Sequence, residues 1–107
     1  MVFGYLFIFV ALLHGCIHIL GFLKAFKLGN ISQLTLPISK KVGLVWLTSC
    51  FLFFVSALLL LLGYAHLFKI VAVVATILSQ GLIINGWEDA KYGTLANIVI
   101  LILLALI

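Results

Sequence analysis

The chain reads as an all-α membrane protein, a four-transmembrane-helix bundle of up-down antiparallel topology. Of its 107 residues, 67% are apolar and only 7% are charged, a balance that water-soluble domains do not show. The apolar residues fall into four runs, and a helix needs roughly 20 such residues to cross the hydrocarbon core. None of the runs alternates polar with apolar as barrel strands do. The helix is then the structure that satisfies its own backbone in lipid.

The first run covers residues 2–23. It lacks a basic leader and a small-residue cleavage site before Lys24, so a retained anchor is expected rather than a signal peptide. Gly29, Asn30, Ser32, Gln33, Pro37 and Ser39 fill the connection that follows, and Pro37 forbids a helix running through it. The second run covers residues 42–64 and turns back at a tight hairpin of Gly63, Tyr64 and Ala65. Residues 66–85 make the third run, residues 87–91 the third connection, and residues 92–107 the fourth run. Connections this short force neighbouring helices antiparallel. Without an internal repeat or a linker, the whole chain 1–107 reads as one transmembrane domain.

Charge orients the bundle. Four of the six lysines, Lys24, Lys27, Lys40 and Lys41, fall in or beside the first connection, and short lysine-rich loops stay cytoplasmic. The expectation is a multi-pass membrane protein, with the first and third connections on the cytoplasmic side and both termini outside. The net charge of +4 is a topology signal with weak attraction to anionic headgroups, and gives no reason to expect a nucleic-acid partner. The fourth run is short, reaching roughly 24 Å against a core of about 30 Å. A thinned bilayer or a longer chain would accommodate it. Cys16 and Cys50 lie inside spans and read as small apolar residues. The Asn30-Ile31-Ser32 triplet falls in a loop expected to be cytoplasmic and is discounted as a glycosylation site.

The stretch LLHGCIHILGF places His14 and His18 one helical turn apart, about 40° from each other on one face, with Cys16 on the opposite side. Counted inward from the lysine-rich end, His18, Thr48, Gln80 and Asn97 all lie roughly 8–11 Å deep, one from each helix. This predicts a polar layer in which Thr76, one turn from Gln80, meets His14. Such residues commonly hydrogen-bond across membrane helices and fix their register, at about 0.6 kcal/mol each. Two histidines at this spacing also suit a metal, but the site lacks further ligands, because Glu88 and Asp89 are the only carboxylates and lie at the interface. Haem fits less well, since one helix cannot offer two axial ligands to opposite faces of one iron. Transport has no embedded carboxylate or broken helix to work with.

The segment WEDAKYGTLANIVIL, residues 87–101, which joins the third connection to the start of the fourth run, carries the densest polar information. Trp87 and Tyr92 suit the headgroup level, Lys91 the cytoplasmic surface, and Gly93 a close approach or a turn. Asp89 or Thr94 is expected to cap the last helix, and Asp89 to pair weakly with Lys40 or Lys41. Together with LLHGCIHILGFLKAF and LTLPISKKVGLVWL, this segment resembles a group of small uncharacterised bacterial four-helix membrane proteins. That group shows a similar His-Gly-x-x-His-x-x-Gly-Phe opening, a Pro-Ile-Ser-Lys loop and a Trp-x-Asp-Ala-Lys-x-Gly-Thr-x-x-Asn segment. The likeness spans nearly the whole chain and singles out His14, His18, Asp89, Lys91, Gly93, Thr94 and Asn97. It implies a fold and a bacterial membrane but no activity. In some relatives a similar block precedes a soluble domain. Length and helix count also suggest the small multidrug resistance transporters, but their first-helix glutamate has no counterpart here. The four-helix membrane subunits related to quinol oxidases are a nearer analogy, by architecture alone.

The leading functional expectation is a non-enzymatic scaffold, anchor or accessory subunit whose polar layer sets helix register, without a cofactor. Its partners would be the lipid bilayer and a second copy or another membrane protein. The competing reading is a binding or redox module in which His14 and His18 hold a metal, haem or quinone-like ligand, and a third is small-solute or proton transport.

Overall fold

A computed structural model describes residues 1–107. It is all-helical, with α1 Val2–Ala25, α2 Lys40–Leu61, α3 Leu67–Asn85, α4 Trp87–Ala90 and α5 Gly93–Leu106. The first three helices are long and apolar enough to cross a membrane, as a membrane protein requires, and α5 is a shorter apolar helix. Leu, Ile, Val and Phe cover the outer faces, many of them exposed, while the interior mixes large apolar side chains with small and polar ones. An outer surface this apolar suits lipid as the surrounding solvent.

Each helix end has a local cause. Ser39 precedes α2 in extended conformation and its hydroxyl accepts the Val42 N–H at 3.2 Å, an N-cap. α2 ends in a Schellman turn, in which Gly63 takes φ +87° while Tyr64 N–H reaches back to Leu59 and Gly63 N–H to Leu60. The same geometry closes α1, with Lys27 rather than glycine in the left-handed position. The third connection departs from the turn read in the sequence. It winds into the single helical turn α4, whose N–H groups bond back to Gly86 and Trp87. The backbone thereby serves itself near the membrane boundary, and α5 starts at Gly93 with no side-chain cap. Neither Asp89 nor Thr94 caps it, contrary to expectation.

α1 packs along α2, α2 along α3, and α5 closes the bundle against α1 and α3. Glycines set the tightest approach. A methyl group on Gly21 would overlap the Trp46 indole, and one on Gly43 would overlap the Ala25 side chain. The bundle divides lengthwise. Away from the lysine-rich connections lies a dry core of Phe7, Ala11, Phe53, Ala57, Phe68, Ala72, Ala75, Ile100, Leu103 and Leu104. Toward those connections, the interior becomes polar.

Gly21→Ala and Gly43→Ala are expected to destabilise the bundle by about 1–3 kcal/mol through overpacking, whereas Gly81→Ala, which meets open space, stays within about 0.5 kcal/mol. Reversible unfolding in detergent micelles measures this, and equal stability of all three variants would contradict the packing described.

Candidate functional site

The polar half is built on α1, α3 and α5. His14 and His18 are 4% and 1% exposed, and Ser79, Thr76 and Asn97 are equally buried. His14 Nε2 lies 2.9 Å from Asn97 Oδ1, and His18 Nε2 lies 2.8 Å from the Ser79 hydroxyl. His18 Nδ1 lies 2.7 Å from the backbone carbonyl of His14 one turn earlier. Asn97 Nδ2 donates to Ser79 Oγ at 3.1 Å and to Gln80 Oε1 at 3.0 Å, and Gln80 Nε2 donates to Thr94 Oγ1 at 3.1 Å. The two imidazoles meet edge to face, with centroids 4.5 Å apart, and both rest on the Phe53 ring.

These contacts assign the protons. A carbonyl can only accept, so His18 carries its proton on Nδ1. With no carboxylate in the layer to balance a buried cation, the ring is neutral and its Nε2 accepts. Ser79 therefore donates its single proton to His18 and accepts from Asn97. The Asn97 carbonyl then faces His14 Nε2, which carries the proton. The lone pair of His14 Nδ1 is left over, with no partner in the protein. Ser49 Oγ is the one side-chain polar atom sealed inside without a hydrogen bond, so His14 Nδ1 is open to adjoining space.

That space is a cavity of about 430 Å³ between His14 and the lysine-rich end of the bundle. His14, His18 and Ile17 of α1, Trp46 of α2 and Ile83 of α3 form its wall, with Tyr92, Gly93 and Ala96 at the start of α5. Gln33 and Leu34 of the first connection and Asp89 close its end. Gly93 keeps room beside the imidazole, because a methyl group there would stand 2.9 Å from Ile83 Cδ1 and 3.6 Å from His14 Cε1. On the far side of the layer, Gln80, Thr94 and Asn97 line a cleft of about 270 Å³ between α3 and α5.

Asp89 holds the first connection over the cavity. Its carboxylate accepts the Thr35 N–H at 2.8 Å, the Thr35 hydroxyl at 2.6 Å and the Leu36 N–H at 2.7 Å, while Lys24 Nζ donates to the Leu34 carbonyl. Asp89 thus engages the first connection through Thr35 and Leu36, not through Lys40 or Lys41 as expected. The Thr35 hydroxyl foremost, then the Leu36 and Thr35 amides and the Lys24 charge, holds its carboxyl below the usual carboxylate range.

The predicted layer is only partly the observed one. His14, His18, Gln80 and Asn97 come together, but Thr48 does not join them. It sits on the exposed face of α2 and donates to its own Leu44 carbonyl at 2.8 Å. Thr76 is buried but donates to Ala72 at 2.7 Å instead of meeting His14. Ser79, which touches His14, His18 and Asn97, was not anticipated. Its signal was its place one residue before Gln80 and three after Thr76, on the inward face. Trp87 is exposed, and Lys91 stands over the Tyr92 ring, 5.5 Å from its centroid. The arrangement does not fit chelation of one metal by both histidines, since both His18 nitrogens and one of His14 are engaged, and no third His, Cys, Asp or Glu completes a cluster.

Neither a protein-family model, a curated protein nor a solved structure matches the chain.

Two outcomes follow from this geometry. A double-mutant cycle of His18→Phe with Ser79→Ala should give a coupling of about 0.6 kcal/mol and no more than about 1.7, read by unfolding in micelles, whereas additive effects would show the pair to be uncoupled. Asp89→Ala should free the first connection and speed tryptic cleavage after Lys27 severalfold at neutral pH. Because the folded carboxyl titrates below its unfolded value, the clamp is fully present above the ordinary carboxylate range, near pH ~4, and is lost as pH falls through the lower folded value. Amide exchange at Thr35 and Leu36 reports that loss, and protection independent of pH would refute the clamp.

Proposed function

We propose that this chain is a multi-pass, non-enzymatic binding protein of the bacterial cytoplasmic membrane, which holds a small lipid-soluble ligand in the cavity beside His14. One observation carries this reading. An imidazole only 4% exposed keeps one nitrogen unpaired at a cavity of about 430 Å³, within the usual size range of small-molecule sites. A polar group serving only helix register would be fully paired, as His18 is. The lysines of the first connection support a cytoplasmic position for the Asp89 clamp, with both termini outside. The order of its motifs supports kinship with the small bacterial four-helix membrane proteins.

A second reading has its own support. The bonds among His14, His18, Ser79, Gln80 and Asn97 tie three helices in one register, which suits an accessory subunit offering a stable face to a second copy or to another membrane protein. The two readings are compatible, because the same network that fixes register leaves one acceptor at the cavity.

Trp46 lines the cavity and Trp87 does not, so a Trp87→Phe protein in nanodiscs reports the cavity by fluorescence. With 1-bromohexane added to the bilayer, Trp46 quenching should saturate and weaken at least about threefold in Gly93→Val, which fills the space beside His14. Quenching that rises linearly with bromohexane and ignores Gly93→Val would reduce the cavity to ordinary lipid contact.

A further inference from the structure

Gln33 and Tyr92, the exposed polar residues of the lining, can donate as well as accept, so the buried imidazoles decide what is held at the inner end of the cavity. His18 has no free nitrogen, and His14 offers only the Nδ1 lone pair. Asp89, held ionised, is likewise an acceptor. A ligand that meets both must donate. A cation would donate too, but Lys24, Lys27, Lys40, Lys41 and Lys91 all stand at this end of the bundle, where Asp89 and Glu88 are the only opposing charges. An acyl chain alone would fill the volume and leave the His14 nitrogen dry and unpaired, at the cost of an unmade hydrogen bond.

The wall also shows the way in. Ile17 of α1 and Tyr92 at the start of α5 line the cavity and are 48% and 74% exposed on the outer surface. The first connection covers the end, fixed there by Asp89 and Lys24. The open side is therefore the seam between α1 and α5, which faces the bilayer.

Resting on the binding reading above, we infer that the ligand is an uncharged, hydroxyl-bearing, lipid-soluble compound that enters from the bilayer between α1 and α5 and donates its hydroxyl hydrogen to His14 Nδ1. His14 gives orientation, and the apolar wall of Ile17, Trp46 and Ile83 gives affinity. The step is binding alone, with no covalent bond made or broken.

A matched pair of probes tests the inference. 6-Bromohexan-1-ol and its methyl ether, 1-bromo-6-methoxyhexane, differ in the donated hydrogen and are compared at equal bilayer mole fraction, by Trp46 quenching in the Trp87→Phe protein. The alcohol should bind about fivefold tighter or better, the gain a made rather than unmade hydrogen bond provides, and His14→Phe should abolish the difference. Saturable, Gly93→Val-sensitive binding of alcohol and ether with equal affinity would overturn the hydroxyl assignment while leaving the cavity reading intact. No saturable binding of either probe would overturn both. Should His14→Phe fail to fold, ¹⁵N spectra of histidine-labelled protein decide instead. An unprotonated His14 Nδ1 that moves upfield with the alcohol and not with the ether supports the inference. A proton found on Nδ1, as an Asn97 amide turned end over end would place it, or a resonance indifferent to the alcohol, overturns it.

Discussion

The hydrogen-bond network that joins α1, α3 and α5 takes its direction from one short contact within a single helix, the bond from His18 Nδ1 to the carbonyl of His14. A backbone carbonyl cannot donate or turn, so it sets the direction of the hydrogen bonds built on it. His18 must present Nε2 as an acceptor to α3, Ser79 must donate there, and Asn97 of α5 donates to Ser79 in turn. Returning to α1 through Asn97 Oδ1, the series ends on His14, whose carbonyl began it. A loop of donors and acceptors with one fixed end has one position left over, and here it is the His14 nitrogen at the cavity.

The spacing of the two histidines has a different consequence from the one a metal site would have required. Histidines at i and i+4 share a helix face, and in an open groove both can point at one ion. Here Gly21 and Gly43 let α2 approach closely, and Trp46 and Phe53 fill the side toward which the rings would converge. His18 is pressed toward Ser79 and back onto its own helix. Sequence spacing alone does not separate chelation from back-bonding; the thickness of the neighbouring helix face does.

Much of the fold was legible because the bilayer imposes it. Four apolar runs and three short connections lead to four apolar helices, with ends within a few residues of those expected, and a hairpin at Gly63 needs only the one left-handed position that glycine supplies. Depth along each helix was legible as well, since rise per residue is constant. Rotation was not. Thr48 and Ser49 lie at nearly the same depth, and the sequence alone does not say which of them turns inward, because an apolar surround is available on either side. In a soluble helix the hydrophobic face would decide; in lipid that signal vanishes, and a lone threonine satisfies itself on its own backbone, as Thr48 and Thr76 do. The Asp89 clamp escaped for another reason. It joins residues more than fifty positions apart through two backbone amides, and backbone donors carry no mark in the sequence.

The same logic explains why the cavity lies where it does. Between Gly86 and Gly93 the chain forms one helical turn in place of the first turns of a full-length span. α5 therefore begins only at Gly93, beside His14, and above it the space next to α1 is lined by Ile17, Leu20, Tyr92 and the first connection, while α2 and α3 still meet His18 through Trp46 and Ser79. The first connection lies across the end but does not fill the gap, held by a carboxylate whose bonds run to Thr35 and Leu36. The late start of α5, after a single turn and two further residues, is what leaves the volume and the unpaired nitrogen in the same place.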